Sequence, residues 1–584
     1  MNNNLPTIND MLIKNHQDIV SFIWNIAELL RGDYKQNEYQ DVILPFTVLK
    51  RLDSVLEPTK DKVLEKFKQV KGKIDNYDPL LKSASGYPFY NTSKYTFKKL
   101  TQDPENIASN LKQYINGFSK NMYEVIEYFE FFKEIEKLDR RNLLFLVIEE
   151  FNKIDLHPDK VSNHEMGTVY EELIRRFNEQ SNEAAGEHFT PREIIRLMVC
   201  LIMAGNGELK KENIIKTVYD PACGTGGMLT IAKDEIVHNI NLTARVYLFG
   251  QELNEKTYAV AKSDIIIKGE NPDNIKQGNT LDNDQLPDEK FDFMLSNPPF
   301  GEDWKKVQKY VKDEHDNLGF NGRFGPGLPR VSDGSLLFLI HMISKMKPVD
   351  EGGSRIAIVF NGSPLFTGDA GSGESEIRKW IIENDWLEAI IGLPDRLFYN
   401  TGIHTYIWLV NNHKPEVRRG KVQLIDAREL YRILRKPLNE KRHEISEEQI
   451  EQIVSLYQNF EEKGKSKIFD NTFFGYRKII VEQPKKDDKG NILHKKSGDT
   501  EPDPELRDTE RVSLSEDIHE YFEKEVKPFA KDAWIDEGKT KIGYEINFTR
   551  YFYKYKPPRD LIEISKEINA TKKEIDSLFK ELIN

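Results

Sequence analysis

The sequence predicts an α/β fold: an open, mostly parallel sheet with a helical N-terminal domain and a helical C-terminal extension. Between about residues 161 and 430, strand-like apolar segments alternate with helical patterns. That alternation favours a parallel sheet covered by helices on both faces. Before this region, apolar residues recur at helical spacing. At 584 residues the chain is also too long for one core, so we expect several domains.

Residues 1–160 are predicted to form the helical domain. Apolar side chains recur at intervals of three and four around residues 22–30, 42–52 and 123–136. The polar stretch 71–99 holds several turn-forming residues, which predicts a connection between helices.

Residues 161–430 are predicted to form the sheet domain. Eight segments have the pattern of strands: 217–219, 246–249, 274–276, 291–296, 355–360, 387–392, 404–410 and 422–425. Four intervening segments have the pattern of helices: 228–238, 255–267, 336–346 and 376–383. In sheets of this kind, ligands bind beyond the carboxyl ends of the strands.

Residues 431–584 are predicted to form the helical extension. The segment 485–504 is rich in Lys, Asp, Gly and Pro, which predicts a mobile linker or insertion. Between residues 561 and 582, apolar residues follow a heptad seam on a charged helix. Such a helix packs either on its own chain or on a partner, and the pattern leaves both open.

Composition excludes several classes of protein. The net charge of −12 argues against a general polyanion-binding surface, so any nucleic acid must meet a local basic patch or a partner's charge. Two cysteines provide neither a disulfide framework nor a zinc site, so we expect a reducing cytoplasm and no metal. The start lacks a signal-peptide pattern. No apolar stretch approaches the ~20 residues that span a bilayer.

A glycine-rich turn follows the first predicted strand. Residues 220–227 read Asp-Pro-Ala-Cys-Gly-Thr-Gly-Gly, and glycines allow a tight turn and close approach of a ligand. The segment lacks the lysine of a P-loop, and Leu229 replaces the third glycine of the dinucleotide fingerprint. Glu252 ends the second strand, where an acid accepts hydrogen bonds from ribose hydroxyls. Together they predict a nucleoside whose tail need not be a phosphate.

A second turn, at residues 297–300, reads Asn-Pro-Pro-Phe and follows the strand 291–296. Its prolines stiffen the turn, Asn297 offers a carbonyl acceptor, and Phe300 offers a flat apolar face. This suits a planar heterocycle with an exocyclic amine, although a plain strand-ending turn has the same residues. A third segment, 186–192, reads Gly-Glu-His-Phe-Thr-Pro-Arg. It is either a helix start with Thr190 as N-cap or a cover over the cofactor.

The order of these motifs resembles S-adenosylmethionine-dependent DNA adenine-N6 methyltransferases, and most of all the methylation (M) subunits of type I restriction–modification systems. The resemblance continues into residues 23–52, 391–402 and 543–553. Two positions depart from the family pattern. His188 stands where Tyr or Phe is common, and Asn279 stands where Asp is common.

The resemblance implies a Rossmann-like methyltransferase fold and a role for each motif. The catalytic set would be Asn297, Pro298, Pro299 and Phe300. Asn297 and the Pro298 carbonyl would accept the two N6–H bonds of a flipped-out adenine, with Phe300 stacked on the base. The cofactor set would be Glu187, His188, Phe189, Thr190, Pro191, Arg192, Asp220, Gly224, Thr225, Gly226, Gly227, Glu252 and Asn279.

The resemblance also implies partners in the cytoplasm. Double-stranded DNA would be the substrate, and a specificity subunit, a second copy of the methylation subunit and possibly a restriction (nuclease/translocase) subunit would complete the complex. No membrane is implied.

Several single features also fit other interpretations. Cys223 lies in the glycine turn rather than after a proline in the strand-four loop, so packing is favoured over a cytosine-methylase nucleophile. The residues around Trp304 and 318–328 either order over substrate or form a plain loop. A protein glutamine or an RNA base also presents a planar amine, and a non-enzymatic scaffold subunit is a further alternative. The scaffold would not require Asn297, Pro298, Phe300 and Glu252 together.

Overall fold

The computed structural model describes residues 8–180, 190–205, 207–399, 401–438, 440–553, 555 and 560–583. It contains two compact units, Met1–Ile546 and Asn547–Asn584. The first holds the glycine-rich turn and the Asn-Pro-Pro-Phe turn, and the second holds the terminal helix.

Helices dominate the first part of the chain, as predicted. Their apolar faces meet in one core, and α13 (Glu255–Ile267) of the sheet region contributes Ala259, Val260, Ile266 and Ile267 to it. The helical region therefore packs directly on the sheet region. Its helices are α1 (Ile8–Glu28), α2 (Tyr39–Leu56), α3 (Lys60–Val70), α4 (Asp78–Ser85), α5 (Phe97–Leu100), α6 (Ile107–Asn116), α7 (Lys120–Tyr128), α8 (Phe131–Arg140), α9 (Leu144–Asn152) and α10 (Asn163–Gln180).

The sheet has nine strands in the order β11-β8-β6-β7-β5-β4-β1-β2-β3. All eight predicted strands lie in it. Strand β7 runs antiparallel to β5 and β6, β11 runs antiparallel to β8, and the other pairs are parallel. The strands are β1 (Ile215–Asp220), β2 (Arg245–Glu252), β3 (Ile275–Gln277), β4 (Phe293–Ser296), β5 (Arg355–Phe360), β6 (Leu387–Gly392), β7 (Tyr406–Asn411), β8 (Lys421–Asp426) and β11 (Ser466–Asp470).

Helices cover the sheet, and the order of strands and helices places β1, β2 and β4 side by side. A second core, formed by α11, the sheet and α18, fills one face. Besides α13, the helices of this region are α11 (Arg192–Met203), α12 (Gly227–Asp234), α14 (Gln308–Leu318), α15 (Ser335–Ser344), α16 (Ser363–Phe366), α17 (Gly373–Glu383) and α18 (Glu447–Asn459). A π-helix, Glu235–Ile240, continues α12.

The α/β fold class is confirmed, but the extension is helical only in part. The helices there are α18, α19 (Ile518–Tyr521), α20 (Phe548–Phe552) and α21 (Leu561–Ile583). Between them lie β9 (Arg432–Leu438), β10 (Lys441–Glu444), β12 (Gly475–Glu482), β13 (Asp508–Ser513), β14 (Trp534–Ile535) and β15 (Lys541–Tyr544). Strand β12 pairs antiparallel with β13, β14 and β15. These strands are short, and their solvated face is rich in charged residues. The sequence therefore shows no clear alternation of apolar and polar residues that would predict them.

The segment 485–504, predicted to be a mobile linker, carries backbone pairing. Isolated antiparallel bridges join Pro484 to Pro502, Lys486 to Ile492, and His494 to Thr500. Its mobility stays a prediction. Within the described residues, no helix is long and apolar enough to cross a membrane.

Candidate active site

The main cavity lies at the carboxyl ends of β1, β2 and β4, where a sheet of this kind binds ligands. Its volume is about 760 Å³, within the range of small-molecule sites. The structure brings nine predicted site residues to its wall: Thr190, Asp220, Gly224, Thr225, Gly227, Glu252, Asn279, Asn297 and Pro299.

The glycine turn is shaped by two positive φ angles. Gly224 has φ 54° and Gly226 has φ 82°, conformations that residues with a Cβ rarely adopt. Gly226 also lies against α13, where an added Cβ would stand 3.5 Å from the Cα of Ala261. The turn is tied to β2 because the Cys223 amide donates to the Gln251 carbonyl at 3.0 Å. Helix α12 then begins at Gly227.

Asp220 closes the floor of the cavity at the tip of β1. Its Oδ1 accepts hydrogen bonds from the Ala222 amide at 3.0 Å and from the Ser296 hydroxyl at 2.8 Å. Burial raises the pKa of the Asp220 carboxyl to about 7, with a further raising contribution from the charge of Glu252. Two neighbouring acids in one cavity favour a ligand with positive charge.

Glu252 stands at the tip of β2 with its carboxylate held by backbone. Its Oε2 accepts from the Gly224 amide at 3.0 Å, and its Oε1 accepts from the Asn254 amide at 2.8 Å. The side chain is buried yet lines the cavity. These two bonds fix the carboxylate while leaving lone pairs for ligand hydroxyls.

Asn297 lines the cavity and carries a buried acceptor atom. Its Nδ2 donates to the Thr190 hydroxyl at 3.0 Å. Its Oδ1 is buried, and among the described residues no donor reaches it. A buried carbonyl without a donor is costly, so this atom is prepared for a ligand's N–H or O–H.

The other residues of the Asn-Pro-Pro-Phe turn take different positions. Pro298 is buried, while Pro299 is exposed and lines the cavity. Phe300 is half-buried and packs against the core of the sheet region. The ring therefore lies beside the cavity wall rather than on it.

The segment before α11 departs from its predicted capping. Helix α11 begins at Arg192 with Pro191 in the N-cap position and no side-chain cap, so Thr190 as N-cap is wrong. Its hydroxyl accepts from Asn297 instead. Arg192 pairs with Glu171 of α10 at 3.4 Å. Glu187, His188 and Phe189 lie outside the described residues.

Asn279 lies on the cavity wall, but its side-chain carbonyl accepts a hydrogen bond from within its own turn. Its Oδ1 accepts from the Leu281 amide at 3.0 Å. The neighbouring Thr280 hydroxyl donates to the Pro221 carbonyl at 2.6 Å, which ties this turn to the glycine turn.

Several lining residues carry no sequence motif. Glu171, Lys256, Lys306 and Phe338 come from separate helices or turns and meet only in the folded chain. Their spacing gives no signal, because each belongs to an ordinary amphipathic or polar segment.

Arg323 anchors the glycine-rich stretch near the cavity. It pairs with Glu314 at 2.7 Å and donates to the carbonyls of Thr280 at 2.6 Å and Leu281 at 2.9 Å. Its Nη1 also lies 3.3 Å from Nδ1 of the buried His341. The stretch is therefore fixed to the turn that lines the cavity.

The surroundings of Cys223 are those of a residue that packs in the core rather than one that reacts. Its thiol is buried, and burial raises its pKa well above the usual range. A thiol held neutral in this way is a poor nucleophile.

Two family models match this chain. The model of N-6 DNA Methylase matches residues 161–473, and the model of the HsdM N-terminal domain matches residues 19–151. The two segments correspond to the sheet region and the helical region.

Curated relatives include two methylase subunits. The chain is 26% identical over 452 residues to the type I restriction enzyme MjaIX methylase subunit of Methanocaldococcus jannaschii, covering 75% of this chain and 76% of the relative. It is 31% identical over 267 residues to the type I restriction enzyme HindI methylase subunit of Haemophilus influenzae, covering 45% and 54%.

Solved structures share the fold. A type I restriction–modification methyltransferase subunit from Streptococcus thermophilus aligns with TM-score 0.60 and 24% identity, covering 78% of this chain and 96% of that one. A chain from a study of complex assembly in a type I system aligns with TM-score 0.53 and 20% identity, covering 99% and 98%.

Proposed function

The chain belongs to the N-6 DNA methylase family, and from that premise we propose that it methylates N6 of a flipped-out adenine in double-stranded DNA. As a family member it is an S-adenosylmethionine-dependent, adenine-specific DNA methyltransferase. The observation that carries the proposal is the Oδ1 of Asn297, a buried acceptor that no described donor reaches, at the wall of the same cavity as Asp220 and Glu252.

The cavity fits S-adenosylmethionine in size and chemistry. The glycine turn leaves room for backbone contact, Asp220 suits the positively charged methionine portion, and Glu252 suits the ribose hydroxyls. Two acids would repel a phosphate-bearing nucleotide but not this cation. When bound, the cofactor supplies a methyl group already activated on a sulfonium.

The chain's own residues orient the acceptor. Asn297 Oδ1 would accept one N6–H bond and the Pro298 carbonyl the other, which draws the amine lone pair out of ring conjugation. Thr190 accepts from the Asn297 amide nitrogen, which leaves the amide oxygen without a donor among the described residues. Catalysis would then rest on positioning and electrostatics, without a covalent enzyme intermediate.

The proposal extends to a complex. The match to the HsdM N-terminal domain and the similarity to type I methylase subunits support a methylation subunit that works with a specificity subunit and a second copy of itself, with a restriction subunit as a further partner. The cytoplasm would be its compartment.

The decisive experiment replaces the acceptor. We expect Asn297→Ala to lower methyl transfer to an adenine-containing duplex by about 10²–10³-fold, the loss typical of removing one preorganised polar contact. S-adenosylmethionine binding, measured by calorimetry, should persist because the acids and the glycine turn are intact. Transfer is measured by mapping N6-methyladenine in the complex reconstituted with the chain's specificity subunit.

The matched control is Asn384→Ala, an exposed asparagine that precedes β6 at the opposite edge of the sheet. It should retain full transfer. Survival of transfer in Asn297→Ala would show that another group accepts the amine.

A further inference from the structure

We infer that His164, Asp234 and His238 form a binding site for one divalent transition-metal ion such as Zn²⁺. His164 lies on α10, and Asp234 and His238 lie at the end of α12 and in the π-helix after it. The three side chains offer one ligand atom each, and these atoms all lie within 4.8 Å of one another.

Two of the three distances between the ligand atoms approach those of a tetrahedral metal site. His164 Nδ1 lies 3.6 Å from Asp234 Oδ2, and His238 Nε2 lies 4.0 Å from Asp234 Oδ1. With metal–ligand bonds of about 2.0–2.1 Å, neighbouring tetrahedral ligands stand about 3.3 Å apart. The atoms are thus slightly too far apart to hydrogen-bond and need only a small approach to share an ion.

The local helix geometry supports this grouping. The chain changes from α-helix to π-helix at Glu235, directly between Asp234 at the end of α12 and His238 in the π-helix. Single π-helical turns are often found at functional sites. Asp234 and His238 stand four residues apart, a spacing that places side chains on one face of a helix, and both approach His164.

The neighbouring lysine and arginine side chains pair with other carboxylates, which leaves the Asp234 carboxylate available to a metal ion. Lys233 pairs with Glu270, and Arg196 pairs with Glu235 at 3.1 Å. Lys268 pairs with the buried Asp264 at 2.9 Å. The ion pairs of Asp234 itself, within the described residues, are those with the two histidines.

The donor set selects the class of ion. Two imidazoles and one carboxylate suit Zn²⁺, Ni²⁺ or Cu²⁺, whereas Mg²⁺ and Ca²⁺ prefer oxygen ligands. Both histidines are more than half exposed, so water supplies the fourth position.

The site would join two helices that frame the main cavity. Helix α10 contributes Glu171 to the cavity wall, and α12 begins at Gly227 of the glycine turn. A metal between them would therefore stabilise the cofactor end of the molecule. No spacing pattern in the sequence indicates this site, because His164 is far along the chain from the other two ligands.

The test is a zinc titration of the untagged full chain by calorimetry at pH 7.5. We expect one Zn²⁺ per chain in the micromolar range, with binding weakened at least about tenfold in His164→Gln and in His238→Gln. Zinc should also raise the melting temperature of the unsubstituted chain.

The matched control is His494→Gln, an exposed histidine of the segment 485–504, which should bind zinc as the natural chain does. Equal zinc binding by all three variants, or none by the natural chain, would overturn the proposal. Asp234→Asn adds a check, since it keeps the side-chain shape while removing the charge and should also weaken binding.

Discussion

Thr190 and Asn297 lie more than a hundred residues apart, yet one hydrogen bond between them fixes the orientation of the Asn297 amide. The Thr190 hydroxyl accepts from Nδ2 at 3.0 Å, and Oδ1 is left without a donor among the described residues. Thr190 is therefore a positioning residue for the acceptor. Its proposed part in closing the cofactor pocket is separate from this contact.

We expect Thr190→Val to lower kcat for methyl transfer by about fivefold, because the loss of one hydrogen bond, ~1 kcal/mol, frees the Asn297 amide to rotate. Thr190→Ser keeps the hydroxyl and should restore most of the rate. Steady-state kinetics of both variants on the same duplex, with the Kd for S-adenosylmethionine measured in parallel, checks this. Equal rates in the two variants would show that the hydroxyl does not matter.

At the scale of elements, the turn before α14 and the helix itself place basic and aromatic side chains beside the cavity. Lys305, Lys309 and Lys312 are exposed, Tyr310 is 60% exposed, and Lys306 reaches the cavity wall. Arg323 fixes the following stretch to the turn at Thr280. Acidic residues flank these lysines along the chain, and Lys305 lies 3.6 Å from Asp303, so individual lysines rather than a net basic patch would contact the phosphate backbone of bound DNA.

We expect the double variant Lys305→Ala, Lys309→Ala to bind duplex DNA more weakly and with a smaller salt dependence. Each lost phosphate contact lowers the slope of log K against log salt by about 0.9, so two contacts lower it by ~2. Fluorescence anisotropy at several salt concentrations measures the slope. The pair Lys62→Ala, Lys68→Ala on α3 is the control, and an identical slope in both pairs would remove α14 from the DNA surface.

At the scale of the whole molecule, charge points to dependence on a partner. The net charge of −12 opposes association with a polyanion. Selection of the DNA sequence would therefore rest on another polypeptide.

We expect the purified chain alone to bind S-adenosylmethionine but to methylate its site at least about tenfold more slowly than the chain combined with its specificity subunit. Mapping N6-methyladenine in identical duplexes with and without that subunit measures the difference. Efficient site-specific methylation by the single chain would contradict this dependence.

The sequence by itself determined the α/β class, all eight predicted strands and the motifs that meet at the cavity. It could do so because buried parallel strands read as short apolar runs, and because glycine and proline turns restrict the backbone locally. Asp220, Glu252 and Asn297 each followed such a run, which placed them at one sheet edge.

Only the tertiary structure decided what depends on contacts between distant segments. It assigned the Thr190 hydroxyl to Asn297, brought Glu171 and Phe338 to the cavity, and joined His164 to Asp234 and His238. It also showed the strands of the C-terminal extension, whose polar, half-solvated faces carry no clear period. Local patterns record burial and backbone restriction, whereas these pairings arise only when separate elements pack together.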